Sequence, residues 1–338
     1  MNGLLDALPD AQRALLTTAP RDSELLERPM LAVLSDRREF DDGWIFERKL
    51  DGIRALGARS GERVRLLSRT GLPMRNYPEI GEALGRQPCG DFTVDGEIVA
   101  FSDGRTDFAR LQQRMQITDP ERARATGIAV EYHVFDLLRL DGVDVSRLPL
   151  RTRKSLLRRA LRFGAPLRFT PHRNSGGQAE LDEACARGWE GLIAKRADGR
   201  YQRRRSPDWL KLKCARGQEL VIGGFTEPAG SRVGFGALLV GYYEDGRLRY
   251  AGKVGTGYDR RTLVRLRAVL DAWEIPRPAF ADAHRIRERT AHWVRPDLVA
   301  QIGFTEWTRD GMLRHPRFLG LRDDKEPAAV VREEPAPG

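Results

Sequence analysis

The chain has 338 residues, 41% of them hydrophobic, with 58 Lys+Arg against 48 Asp+Glu and a formal net charge of +10. That is too apolar for a disordered chain and long enough for two domains, each with its own core. No apolar run approaches the roughly 18 residues needed to span a bilayer, and Asp6, Asp10, Asp22, Glu24 and Glu27 exclude a secretory signal from the first 28 positions. Cys89, Cys185 and Cys214 stand apart, with neither a disulfide framework nor a Cys-x-x-Cys zinc pattern. A reducing cytoplasm is therefore the expected compartment, without membrane contact.

Residues 1–28 read as a loosely ordered leader. Residues 44–50, 63–68, 92–101 and 132–138 read as strands, the last followed by an Asp141-Gly142 turn. Positions 145–179 contain no acidic residue, yet Arg147, Arg151, Arg153, Lys154, Arg158, Arg159, Arg162, Arg168 and Arg173 fall there. Leu156, Leu157, Ala160 and Leu161 mark the apolar side of a helix in that stretch. Its cations fit either a solvated face or a surface for phosphate backbones. Residues 180–187 read as a helix that Gly188 ends. Near Arg216-Gly217 the pattern changes, and a domain boundary is expected.

Beyond that point residues 220–225, 236–243 and 248–254 are strand-like, with Glu244-Asp245-Gly246 as a hairpin turn. Leu263, Leu266, Leu270 and Trp273 give residues 260–273 a helical period, and residues 299–307 return to strand. Several strands around one helix fit a small barrel of the oligonucleotide-binding type. The Pro- and Ala-rich tail at 327–338 is expected to be disordered. The resulting division is 1–28, 29–216, 217–326 and 327–338.

Only seven of the 58 basic residues are lysines, at 49, 154, 195, 211, 213, 253 and 325. Arg is permanently charged, whereas Lys can lose its proton and attack an electrophile. Lys49 lies in Glu47-Arg48-Lys49-Leu50-Asp51-Gly52-Ile53-Arg54. A free lysine amine is neutral in only about 0.04% of molecules at pH 7. A nucleophilic Lys49 therefore needs desolvation or nearby positive charge, and Arg54 is the candidate for that charge. In Trp209-Leu210-Lys211-Leu212-Lys213, strand alternation puts Trp209 and both lysines on one face. Two lysines pointing the same way repel unless an anion lies between them, and a triphosphate is such an anion.

Glu47, Lys49, Asp51, Gly52 and Arg54 resemble the nucleotidyl-lysine motif of the ATP-dependent DNA ligases, which RNA ligases and capping enzymes share. Further segments follow in family order. They are Ser68-Arg69-Thr70-Gly71, Asp95-Gly96-Glu97, Tyr132-His133-Val134-Phe135-Asp136, Glu190-Gly191-Leu192-Ile193-Ala194-Lys195, the Trp209–Lys213 run, and Arg317-Phe318-Leu319-Gly320-Leu321-Arg322-Asp323-Asp324-Lys325. Pro29-Met30-Leu31-Ala32, Phe108 and Leu111-Gln112-Gln113-Arg114 echo the ligase module of bacterial non-homologous end-joining ligases.

The resemblance implies an α+β fold: a nucleotidyltransferase (ATP-grasp-like adenylation) domain of antiparallel sheets with helices, then an OB-fold β-barrel. It implies that Lys49 takes AMP from ATP, passes it to a DNA 5′-phosphate, and so prepares the 3′-hydroxyl's attack. Glu47, Arg54, Arg69, Glu97, Phe135, Glu190, Arg205, Lys211 and Lys213 would hold the nucleotide, with Phe135 stacked on adenine. Read alone, Phe135 is an ordinary core residue of a strand. Glu97 and Glu190 would hold Mg²⁺ or Mn²⁺. Arg322, Asp324 and Lys325 would orient the departing phosphates. Double-stranded DNA with a nick or break is the implied partner, with Ku and separate end-processing proteins beside it, and the chain is expected to be a monomer. No polymerase, phosphoesterase or extra N-terminal DNA-binding domain is expected within these residues.

An RNA ligase or GTP-using capping enzyme shares the lysine motif, but the C-terminal motif argues against both. The NAD-dependent ligases are disfavoured by the lack of a cysteine zinc cluster. A non-catalytic nucleic-acid-binding protein would need no reactive lysine, yet every expected reactive position is filled.

Overall fold

The computed structural model describes residues 3–19, 28–115, 117–214 and 217–334. It divides into two compact units, Met1–Cys214 with Glu334–Gly338, and Ala215–Glu333.

Two sheets build the first unit. In the larger, β1 (Thr17–Thr18), β4 (Ile53–Ser60), β5 (Arg63–Ser68), β6 (Asp91–Val99), β9 (Glu131–Leu140) and β10 (Val143–Asp144) run in the order β1-β10-β9-β6-β4-β5, with β11 (Leu167–Phe169) parallel to β9. In the smaller, β2 (Leu31–Leu34), β3 (Trp44–Arg48), β12 (Gly191–Arg196) and β13 (Arg205–Lys213) run in the order β2-β13-β12-β3. A small hairpin joins β7 (Phe101–Ser102) to β8 (Arg105–Thr106).

The central strand β4 was not legible from alternation, because Ala55, Gly57 and Ala58 blur the two faces and all three are buried. Just before its first residue, at Gly52, a Cβ would stand 2.2 Å from the Ile98 carbonyl oxygen. Only glycine lets the chain cross β6 so closely. The helix Leu150–Ala160 buries Leu156, Leu157 and Ala160 against the core, as its period requires.

The expected leader differs from what is observed. Short helices Gly3–Asp6 and Asp10–Arg13 precede β1, and Leu5 joins the core with Leu4, Leu8, Leu15 and Leu16 packed beside it. These leucines give the segment apolar area to bury, which its acidic composition obscured. Residues 20–27 lie outside the described residues.

In the second unit, β14 (Gly217–Thr226), β15 (Leu238–Glu244), β16 (Arg247–Val254), β17 (Glu274–Ile275) and β18 (Ala291–Gly303) form a sheet in the order β16-β15-β14-β18-β17. The hairpin of β19 (Glu306–Trp307) and β20 (Leu313–Arg314) follows, and β21 (Arg317–Leu321) pairs with β18. This half-barrel holds Phe225, Phe235 and Val240 against Leu263, Leu266 and Leu270 of the helix Arg260–Ala272. Asp259 caps that helix by accepting from the Thr262 amide at 2.6 Å. Strand β18 starts eight residues before the sequence reading placed it and runs through Pro296.

The tail is also held where disorder was expected. Val330 is buried in the second core, the Gln218 side chain donates to the Val331 carbonyl at 3.1 Å, and the Glu333 amide donates back to Gln218 at 3.0 Å. Residues 335–338 lie outside the described residues. Among the described residues no helix is long and apolar enough to cross a membrane.

The cysteines need correction too. Cys185, in the helix Gln178–Ala186, is disulfide-bonded to Cys214, just past β13, leaving Cys89 free and buried. A separation of 29 residues gave no local sign of this pairing. It arises because the helix and the strand end come together only in the fold.

Candidate active site

Pairing across the smaller sheet sets its working face. Glu47 pairs with Ile193, which pairs with Lys211; one row along, Ile45 pairs with Lys195 and Lys195 with Trp209. In the row at the other side, the Lys49 amide donates to the Gly191 carbonyl at 2.9 Å, and Gly191 pairs with Lys213. Cross-strand partners project to the same side. Lys49, Glu47, Lys195, Lys211, Lys213 and Trp209 therefore share one face, as alternation within the Trp209–Lys213 run required. The backbones of Lys49 and Lys213 stand two strand spacings apart, about 10 Å. Gly191 lies between them with φ 145°, and a Cβ there would meet the Leu212 carbonyl oxygen at 1.9 Å.

Lys49 Nζ forms an ion pair with Glu190 Oε1. Burial pushes this amine's pKa down, but Glu190, then Asp51 and Glu97, more than reverse the effect and hold it above the ordinary lysine value. The expected activating charge is not where sequence placed it. Arg54 closes on Asp95 through both carboxylate oxygens, at 2.5 and 2.6 Å, and donates to the Met30 carbonyl at 3.0 Å. Its charge is matched by Asp95, which also accepts from the Tyr201 hydroxyl at 2.6 Å.

Two residues before Lys49, Glu47 is almost fully buried, with Lys154 Nζ 2.5 Å from one oxygen and Lys195 Nζ 2.6 Å from the other. Lys154 also donates to the Thr170 carbonyl at 3.0 Å. Burial pushes the Glu47 carboxyl up, but the two ammonium groups hold it below the usual range. Lys195 moves the other way: burial lowers its amine pKa, and Glu47 only partly opposes this.

Phe135 does not present an open face to a base. Its ring is 8% exposed and packs edge-on against Trp209 at 5.9 Å. Lys195 Nζ lies 4.1 Å and the Arg54 guanidinium 4.7 Å from its centroid. A purine can reach this ring only if those side chains give way.

Arg69 lies within a tight turn in which Ser68 Oγ accepts from the Leu72 amide at 3.1 Å and Gly71 takes φ 83°. Glu97 pairs with Arg54 across β6 and β4. Arg205 is exposed at the start of β13 and donates to the Ala32 carbonyl at 2.8 Å. Arg322 and Asp324, by contrast, belong to the second unit, where they form a buried bidentate pair at 2.8 and 2.9 Å. Lys325 lies 3.0 Å from Glu219 there.

Sequence reasoning missed Asp95, Lys154, Lys195 and Tyr201 as individual site residues. For the two lysines the scarcity of Lys was the available signal, since five of the seven cluster on this sheet or reach it. For Asp95 and Tyr201 none existed, because 106 residues separate these hydrogen-bond partners.

Among the described residues no group of three or more His, Cys, Asp or Glu side chains is set to hold a metal. Glu190 nevertheless has Oε2 buried without a hydrogen-bond partner beside the Lys49 pair. A hard divalent ion, which takes most of its ligands from phosphates and water, suits such a lone carboxylate oxygen.

Residues 29–213 match the family model described as ATP dependent DNA ligase domain, and residues 231–325 match that of the ATP dependent DNA ligase C terminal region. The chain belongs to the ATP-dependent DNA ligases. It is 37% identical over 326 residues to the multifunctional non-homologous end joining protein LigD of Pseudomonas aeruginosa, covering 94% of this chain and 37% of that protein. It is 38% identical over 304 residues to the multifunctional non-homologous end joining DNA repair protein LigD of Mycobacterium tuberculosis, covering 86% of this chain and again 37% of the relative. The chain thus spans little more than a third of these relatives. A solved mycobacterial DNA ligase D, complexed with ATP and MES, has the same fold with a TM-score of 0.62 and 34% identity, over 91% of this chain and 98% of that one.

Proposed function

We propose that the chain seals breaks in DNA through a lysine–AMP intermediate on Lys49, and that it serves DNA end joining. The observation that carries this reading is the face of the smaller sheet. One partly sheltered lysine amine stands in the same row as Lys213 and beside Lys211, on a scaffold shared with ATP-dependent ligases.

In the first step Lys49 Nζ attacks the α-phosphorus of ATP, a N–P bond forms, and pyrophosphate leaves. Lys49 must first part from Glu190 and lose its proton. Lys211 and Lys213 supply positive charge that favours the neutral amine and neutralises the phosphates. Arg205 and Arg69 add charge at the rim, and Glu47 and Arg54 border the nucleotide on the inner side. A Mg²⁺ or Mn²⁺ ion held by Glu97 and Glu190 would supply Lewis-acid neutralisation of the phosphates. Arg322, Asp324 and Lys325 orient the leaving group. AMP then passes to a DNA 5′-phosphate, and the 3′-hydroxyl attacks that phosphate and expels AMP. The protein's share is in-line positioning and electrostatic stabilisation. Duplex DNA with a nick or break is the substrate, the active form is a monomer, and Ku-type and end-processing partners act alongside.

The test is incubation with labelled ATP and a divalent metal, then addition of nicked duplex. Label resistant to denaturation appears on Lys49 and the nick closes, whereas Lys49→Arg stays folded and takes up none. Wild-type uptake by Lys49→Arg refutes the assignment. Labelled GTP and nicked RNA, run in parallel, give little product if the substrates are ATP and DNA.

A further inference from the structure

The acid-free stretch at 145–179 does not form one uniform basic surface. Arg153 is buried against Asp136, Lys154 is buried on Glu47, and Arg168 and Arg173 pair with Glu131 and Glu183. Arg147, Arg158, Arg159 and Arg162 are exposed and have no acidic partner among the described residues. Arg151 is exposed, and its side chain donates to the neutral Asn174 side chain.

A pocket of about 570 Å³ opens beside this set, lined by Arg151, Lys154, Arg158, Phe163, Phe169 and His172. Among the described residues no carboxylate lines it. Phe163 and Phe169 meet edge to face at 5.6 Å, and the Arg158 guanidinium lies 5.7 Å from the Phe169 centroid. His172 Nδ1 is buried with no hydrogen-bond partner among the described residues, although buried polar atoms usually have one. The size suits one small ligand. The lining suits a ligand that is anionic at one end and flat and apolar at the other.

We propose that this pocket binds one nucleotide of a single-stranded DNA segment, with its phosphate toward Arg151 and Arg158 and its base toward Phe163 and Phe169. The idea rests on reading the chain as a DNA ligase. A strand is favoured over a free nucleotide because the unpaired cations continue past the pocket. Ser155, Arg158 and Arg159 follow helical spacing on the helix Leu150–Ala160, and the exposed Arg162 lies two residues past its end, giving further phosphates a track. A single strand is favoured over a duplex because paired bases offer no free face to an aromatic floor. Aromatic platforms inside cationic grooves are the usual means of holding unpaired strands. Such a strand would be the unpaired extension at a DNA end.

The test measures amide hydrogen exchange of the full chain with and without an oligothymidylate of about 12 nucleotides, and binding of the same labelled oligomer to Arg158→Glu. Binding protects residues 151–172, and Arg158→Glu weakens affinity roughly tenfold while reducing the salt slope by about one. Protection confined to other segments, or unchanged affinity in Arg158→Glu, overturns the proposal. Equal protection of 151–172 by thymidine monophosphate at matched occupancy also overturns it, by making the ligand a free nucleotide. Uptake of labelled AMP without DNA is read on the same samples. If AMP uptake fails, the ligase reading fails; if uptake occurs without protection at 151–172, only the pocket assignment fails.

Discussion

Lys49 and Lys195 stand on the same face of one sheet, both shielded from water, yet their amines are pushed in opposite directions. Burial lowers both. Around Lys49 the carboxylates of Glu190, Asp51 and Glu97 outweigh it, and the amine is held above its ordinary value. Around Lys195 the carboxylate of Glu47 is shared with Lys154, and Glu47 together with Asp136 does not offset burial and the Lys154 charge. The two sites thus differ in the carboxylates that reach them as well as in depth, the Lys49 side chain being 17% exposed and that of Lys195 2%. Lys49 is held toward its charged form by its carboxylates, whereas the Lys195 amine is pushed toward its neutral form.

Apart from the loss of AMP uptake in Lys49→Arg, the largest effect should come from Lys154→Met. It removes the closer partner of a buried carboxylate and leaves Glu47 to Lys195 alone. A cost of about 3–5 kcal/mol is expected in denaturant unfolding. A loss below about 1 kcal/mol would mean that Glu47 is not held as a charged group, and the contrast would fail.

Next is reduction of the Cys185–Cys214 bond, which ties the end of the lysine-bearing strand β13 to a helix. Closing a loop with a separation of 29 residues corresponds to about 3.6 kcal/mol on the chain-entropy account. Thermal melts with and without reductant check it, and a melting temperature insensitive to reductant denies the bond a stabilising role.

The third prediction concerns acid. The Glu47 carboxyl is depressed in the folded state, so its contribution is fully present above its unfolded pKa of about 4.3 and is lost as pH falls through the lower folded value. Glu47→Gln should therefore narrow the difference in melting temperature between about pH 7 and about pH 3. An equal or wider difference contradicts the depressed carboxyl.

The smallest effect belongs to Lys195→Met. It removes an amine that burial disfavours as a charged group and leaves the Glu47–Lys154 pair, so stability should change by no more than about 1 kcal/mol, in either direction. A loss as large as that of Lys154→Met would show that both lysines are needed equally and would erase the asymmetry.

Much of the site was legible in sequence because its parts are short and local. Alternation alone put Trp209, Lys211 and Lys213 on one face, and the scarcity of lysine drew attention to Lys49. The strand β4 escaped because Ala and Gly, needed for close contact between layers, carry no alternating pattern. The leader and tail escaped because composition reports average polarity, while a few residues such as Leu5 and Val330 decide docking. Arg153 and Lys154 read as surface cations because a helical period does not reveal that Asp136 and Glu47 wait beneath them.

The sequence by itself determined the family, the lysine proposed to react, and the β-rich character of both units, since these depend on residue type and near-neighbour spacing. Only the tertiary structure decided which charge answers which: Glu190 on Lys49, Asp95 on Arg54, and Lys154 and Lys195 on Glu47. Charge interactions fall off with distance through space and not along the chain, so partners 41 to 148 residues apart become neighbours only when the sheets assemble.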